Sequence, residues 1–289
     1  MINEKVKFKL QGHEKFALRD GWLNKGLIMV EKYPDVFQRK DAPDVLGVGS
    51  NMVKSIRYWL KAFRLLEEKN GEGAKLTDLA NIIKEYDLYL EDNFTLWVLH
   101  SNIVRNVEEA TSWFMFFNRC DDEELEREQI SQILTREIKK FVEGQKFSEN
   151  SVKNDVDVIL NMYSNDKELT DPEDKNISPF TVLNIVKNND GRYYKNHPDR
   201  RIVNEWNVLF ELAIMMKDCD SISIEKAIYG ECGLNPIYQI SEVFANEMLD
   251  RLDAMGYIHV DRTAGLDVIY RNEKKTPEQV IKEYYENHR

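Results

Sequence analysis

The chain of 289 residues is 42% hydrophobic and 31% charged, and its 13 Phe, 13 Tyr and 5 Trp exclude extended disorder while allowing two or three packed domains. Its net charge of −11 disfavours unspecific nucleic-acid binding by the molecule as a whole, yet residues 1–80 hold 15 Lys and Arg against 11 Asp and Glu, and the remainder 25 against 40. No apolar run reaches the roughly 18 residues that cross a bilayer, which excludes a spanning helix.

In chain order, Lys5 to Leu18 suggest a short strand. From Arg19 to Tyr33 the spacing of Trp22, Leu23, Leu27 and Val30 predicts a helix ended by Pro34. A short helix over Ala42–Leu46 and the turn Gly47-Val48-Gly49 follow. A longer helix opens at Ser50 or Asn51, both good N-caps, and runs to about Leu66. Asn70 to Gly73 reads as a turn between two short pairing segments, a wing. Leu76 to Tyr86 predicts a helix capped by Thr77 or Asp78. Phe94 to Phe117, rich in aromatics, predicts a buried helix pair. The acidic run Asp121–Glu128 starts an amphipathic helix to Phe141, and Ser151–Tyr163 another. Asn165–Ser178 reads as a linker or loop. Helices are then expected over Glu205–Lys217, Ile224–Tyr229 and Ile240–Met255, with a hairpin around Arg262-Thr263-Ala264-Gly265.

The fold class expected is mainly α, two winged helix-turn-helix units flanking a helical middle domain. The expected divisions are 1–88 (N-terminal winged helix), 89–164 (helical middle), 165–204 (linker and basic segment) and 205–289 (C-terminal winged-helix-like unit).

The helix after Gly49 carries the functional reading. Val53, Ile56, Leu60 and Phe63 make one stripe, and Lys54, Arg57, Lys61 and Arg64 a second, rotated by about 100°. A recognition helix needs this division, because one face packs while the next meets phosphates and base edges. Ser50, Asn51 and Lys54 stand at its start, where such helices touch bases. Arg57, Lys61 and Arg64 suit phosphates, and Tyr58 the DNA backbone. Arg192, Lys195, Arg200 and Arg201 form a secondary candidate contact, which also fits an exposed charged loop. Residues 205–271 hold five Lys and Arg against twelve Asp and Glu, unsuited to phosphate contact. Protein contact, homodimerisation or structural support are the roles open to that unit.

Known phosphate-loop, dinucleotide, zinc-protease and nucleophile-elbow patterns are absent. Cys120, Cys219 and Cys232 are odd in number and widely spaced, giving no zinc or disulfide framework and pointing to a reducing cytoplasm. His13, Glu14 and Arg19 are the candidate catalytic group, supplying a base or metal ligand and a cation. They equally fit a surface pair beside a helix start. His100, Asn102 and Arg105 are expected to make interhelical hydrogen bonds.

The run Gly12-His13-Glu14-Lys15-Phe16-Ala17-Leu18-Arg19-Asp20-Gly21-Trp22-Leu23-Asn24-Lys25-Gly26 resembles the opening block of a bacterial family catalogued as a domain of unknown function. Leu46 to Val53 with Ile56 to Leu60, Thr111-Ser112-Trp113 to Phe116-Phe117-Asn118, and Thr263-Ala264-Gly265-Leu266 resemble its later blocks. That family is similar to the SspB-like nickases of Ssp-type DNA phosphorothioation systems. The resemblance implies a nicking endonuclease in phosphorothioate modification and anti-phage defence. Its expected partners are DNA and the ATPase and sulfur-inserting proteins of such systems. A divalent metal such as magnesium is the expected cofactor, and no organic cofactor. A non-catalytic DNA-binding adaptor or transcription regulator, and a protein-interaction scaffold, remain alternatives.

Overall fold

The computed structural model describes residues 5–69, 73–120, 124–164 and 177–288. Residues 5–18 carry no strand, contrary to expectation. Gln11, Glu14 and Lys15 take positive φ values of 56°, 50° and 67°, which break an extended run. Side chains from elsewhere hold the segment instead: the Lys9 amide donates to Thr111 Oγ1 and the Gln11 amide to Asp155 Oδ1.

Helix α1 (Trp22–Lys32) buries Trp22, Leu23, Leu27 and Val30, as its spacing predicts. Short α2 (Ala42–Leu46) ends on Gly47, left-handed at φ 63°. Helix α3 (Ser50–Ala62) follows, and Gly49 is its N-cap rather than Ser50 or Asn51. It stops four residues short of Leu66. Arg64 turns left-handed at φ 59°, and the Leu65 amide bonds back to the Leu60 carbonyl, a closure usually made by glycine. Strands β1 (Leu66–Lys69) and β2 (Gly73–Leu76) pair antiparallel with Leu66 opposite Leu76, while residues 70–72 of the expected turn lie outside the described residues. Helix α4 (Asp78–Tyr86) is capped by Thr77, whose hydroxyl accepts from the Ala80 amide.

The expected aromatic pair is α5 (Asn93–Val104) and α6 (Thr111–Arg119); Phe94 to Val104 are all buried. After β3 (Leu125–Glu126), α7 (Arg127–Phe141) and α8 (Glu149–Tyr163) pack on α6. The start of the acidic run, 121–123, and most of the expected linker, 165–176, lie outside the described residues.

The segment expected as linker and basic stretch contains sheet. Strands β4 (Val186–Asn189) and β5 (Arg192–Lys195) form a hairpin, and β3 adds to its β5 edge. Asp190 and Gly191 carry φ values of 49° and 85°, the two positive angles of a tight hairpin turn. Just before it, Phe180 lies flat on Phe63, ring centroids 5.3 Å apart.

The C-terminal region runs α9 (Glu205–Met215), β6 (Ser221–Ser223), α10 (Ile224–Tyr229), α11 (Leu234–Tyr238), α12 (Glu242–Ala254), β7 (Ile258–Asp261), β8 (Val268–Arg271) and α13 (Pro277–His288). The expected hairpin is β7–β8, and β6 completes a sheet of order β6-β8-β7. Helix α13 brings the chain end back to α4, with Tyr285 stacked on Tyr86 at 5.0 Å and Tyr284 on Phe94 at 3.8 Å. One hydrophobic cluster runs from Leu18 to Tyr285. Among the described residues no helix is long and apolar enough to cross a membrane.

Candidate nucleic-acid interface

Helix α3 is positioned by its apolar stripe. Val53, Ile56, Trp59 and Leu60 are buried, and α1 packs against them. Gly26 of α1 permits this approach, since a Cβ there would stand 2.8 Å from Leu60 Cδ1. Ser50, Asn51 and Lys54 are exposed at the start of the helix.

The expected open cationic stripe is absent. Lys54 Nζ stands 4.0 Å from Glu14 Oε1 and is largely exposed. Arg57 makes a two-pronged bond to Glu68 of β1, 2.7 Å from Oε1 and 2.8 Å from Oε2, and this raises its pKa. Lys61 lies 3.8 Å from Glu68 Oε2 and 3.1 Å from Glu109 Oε1. Lys9 reaches the same Glu109 at 2.6 Å. Burial pushes the Glu109 carboxyl up, but Lys9 and Lys61 outweigh it and hold the pKa below the usual value. Three cations therefore interleave with two carboxylates. The hairpin and the α5–α6 connection supply both acids, which the spacing within α3 does not foretell. Arg64 lies beyond the helix and donates to the Arg105 carbonyl at 3.2 Å. Burial and the neighbouring Arg105 lower its pKa.

Tyr58 does not face outward, contrary to expectation. It is buried, edge-on to His13 at 5.8 Å, and burial with Asp155 nearby raises its pKa well above 10.0. A Cβ on Gly12 would meet its ring at 2.3 Å, so glycine is required there.

His13, Glu14 and Arg19 do not converge. His13 is 0% exposed, stacked on Trp59, with Nε2 2.8 Å from Asp155 Oδ1. Its Nδ1 accepts from the Lys15 amide, which leaves Nε2 as the donor. Asp155 also accepts from the Gln11 amide and, at 2.5 Å, from Ser112 Oγ. Both ring nitrogens of His13 are thus occupied within a buried network. Glu14 faces Lys54, and Arg19 lies over the rings of Phe16 and Trp22. Among the described residues no group of three or more His, Cys, Asp or Glu is arranged to hold a metal ion.

The secondary basic candidates are largely engaged. Lys195 turns inward to the carbonyls of Phe117 and Cys120 at the end of α6, and the Arg192 guanidinium bonds the Glu124 carbonyl. Arg200 covers the Phe244 ring and pairs with Glu247 at 3.0 Å, and Arg201 pairs with Asp199. On α12, Glu242 accepts from Tyr229 and Asp250 pairs with Arg262.

The family described as a protein of unknown function, DUF4007, matches residues 10–285. A magnesium ion-bound SspB crystal structure is similar over 98% of this chain and 89% of that one, with TM-score 0.89 and 24% identity. A second SspB crystal structure is similar over 98% and 90%, with TM-score 0.88 and 24% identity. At that identity the likeness establishes the fold. No curated protein matches.

Proposed function

The chain belongs to the DUF4007 family, and from that premise we propose that it handles DNA in an Ssp-type phosphorothioation system, nicking one strand to admit sulfur-inserting partners. The observation that carries this reading is an SspB fold spanning nearly the whole chain.

The unit α1–α3 with β1–β2 is read as a winged helix-turn-helix, and Ser50, Asn51 and Lys54 offer its exposed helix start to base edges. Arg57 and Lys61 serve phosphates by exchange. Arg57 is the more exposed partner of Glu68, so a phosphate competes with that carboxylate first at Arg57. Magnesium is the proposed metal for the nicking assay, by likeness to the magnesium-bound SspB.

Purified protein with magnesium should convert supercoiled plasmid to the relaxed circle. If the plasmid stays intact both alone and with the partner proteins, the nicking reading falls. A non-catalytic DNA-binding adaptor is the second reading, favoured by the burial of His13 in a closed network. It predicts a footprint without cleavage.

A further inference from the structure

A cleft of about 490 Å³ separates the N-terminal hairpin from the C-terminal helices. Leu79 of α4 and Phe210 and Ile214 of α9 give it apolar walls. Arg64, Lys217 and Lys274 line it, and none has a carboxylate within 4.0 Å among the described residues. A fourth cation, Lys275, is paired with Glu273 and Glu283.

Asn102 of α5 lines the same cleft and is only 6% exposed. Its carboxamide has no hydrogen-bond partner among the described residues. Its neighbours on the helix are satisfied: His100 bonds to Tyr163 and the Ile237 carbonyl, and Arg105 to Glu211. The amide faces the cleft and keeps both its donor and its acceptor free for a molecule seated there.

We propose that this cleft binds one nucleotide, with the Asn102 carboxamide on the base edge and Arg64, Lys217 and Lys274 around the phosphate. A carboxamide sets a donor beside an acceptor, the complement of the adenine N6/N7 edge. The volume lies within the range of small-ligand sites, roughly 300–1,000 Å³. Glu67, Asp78 and Glu278 also line the cleft. Set against Arg64, Lys217, Lys274 and Lys275, they leave the cleft near neutral, which suits a monophosphate better than a triphosphate. The nucleotide is either free or turned out of a DNA strand, and the second source rests on the DNA-handling reading above.

The test is calorimetry on the full chain with deoxyadenosine monophosphate, a short adenine-containing single strand and inorganic phosphate. The mononucleotide or the single strand should bind, and Asn102→Leu and Lys217→Glu should each weaken it at least about tenfold. Asn102→Leu should leave the unfolding midpoint close to unchanged, because no hydrogen bond within the described residues is broken; Lys217 is exposed, so its variant reports without a folding defect. Binding by the single strand alone places the nucleotide in DNA. The inference is overturned if neither probe binds, if both variants bind normally, or if inorganic phosphate binds as tightly. A duplex gel shift run beside these separates the two claims. Duplex binding with an indifferent cleft sinks this site only. Mononucleotide binding without any DNA binding sinks the DNA reading only.

Discussion

A carboxylate in a protein interior must find donors for both oxygens, and Asp155 finds them in the Gln11 amide, His13 Nε2 and Ser112 Oγ. Those donors come from the N-terminal segment and α6, so one side chain on α8 ties three pieces of chain. Asp155→Ala should lower stability by roughly 3 kcal/mol in urea unfolding, since buried donors lose a charged acceptor. Lost nicking at an unchanged midpoint would instead place Asp155 in the chemistry. His100 gives a pH test. Burial depresses its pKa from 6.5 to about 3, against the favourable Ile237 carbonyl. Between those values the unfolded chain takes up the proton and the folded chain does not. Its contribution is therefore complete above pH 6.5 and lost as pH falls toward 3, about 2 kcal/mol by pH 5. His100→Gln should flatten that slope.

Helix α3 shows how an element acquires its electrostatics from its neighbours. Glu68 sits on the paired hairpin and engages both Arg57 and Lys61. Glu68→Gln should free Arg57, while Lys61 keeps Glu109, and so tighten duplex DNA in a gel shift and steepen its salt dependence. Unchanged affinity would mean that this face of α3 does not meet DNA. Element ends follow the same logic. Lys195 on β5 supplies donors to the last carbonyls of α6, so a cation legible as part of a basic cluster completes a helix end instead.

At the scale of the whole molecule, the last helix is joined to the N-terminal third of the chain. Helix α13 buries Val280, Ile281, Tyr284 and Tyr285 against α4, α5 and α9. Each such side chain is worth roughly 1.5–3 kcal/mol on burial. Together they approach the roughly 5–15 kcal/mol stability of a domain. Removing residues 277–289 should therefore abolish cooperative unfolding and protease resistance in the N-terminal part as well. An N-terminal part that stays folded and cooperative would show that the two ends are independent. Arg105 strengthens the joint: it pairs with buried Glu211 of α9 and donates to the Cys232 carbonyl.

By itself the sequence determined the elements whose signals are local. The apolar spacing of α1 and α3, the Thr77 cap, the short α2 and α10, and the β7–β8 hairpin all stand where periodicity and turn residues place them. The β4–β5 hairpin had a local signal too, Asp190-Gly191, overlooked because the flanking strands are polar. Strand β6, with one apolar residue in three, had none. The candidate site was legible only as residue types. Which cation meets which carboxylate, that His13 closes on Asp155, and that Asn102 shares a cleft with Arg64 were decided by packing between segments far apart in the chain, 142 residues for His13 and Asp155. Coulomb and hydrogen-bond energies act across a few ångströms of space, and spacing along the chain does not report that distance.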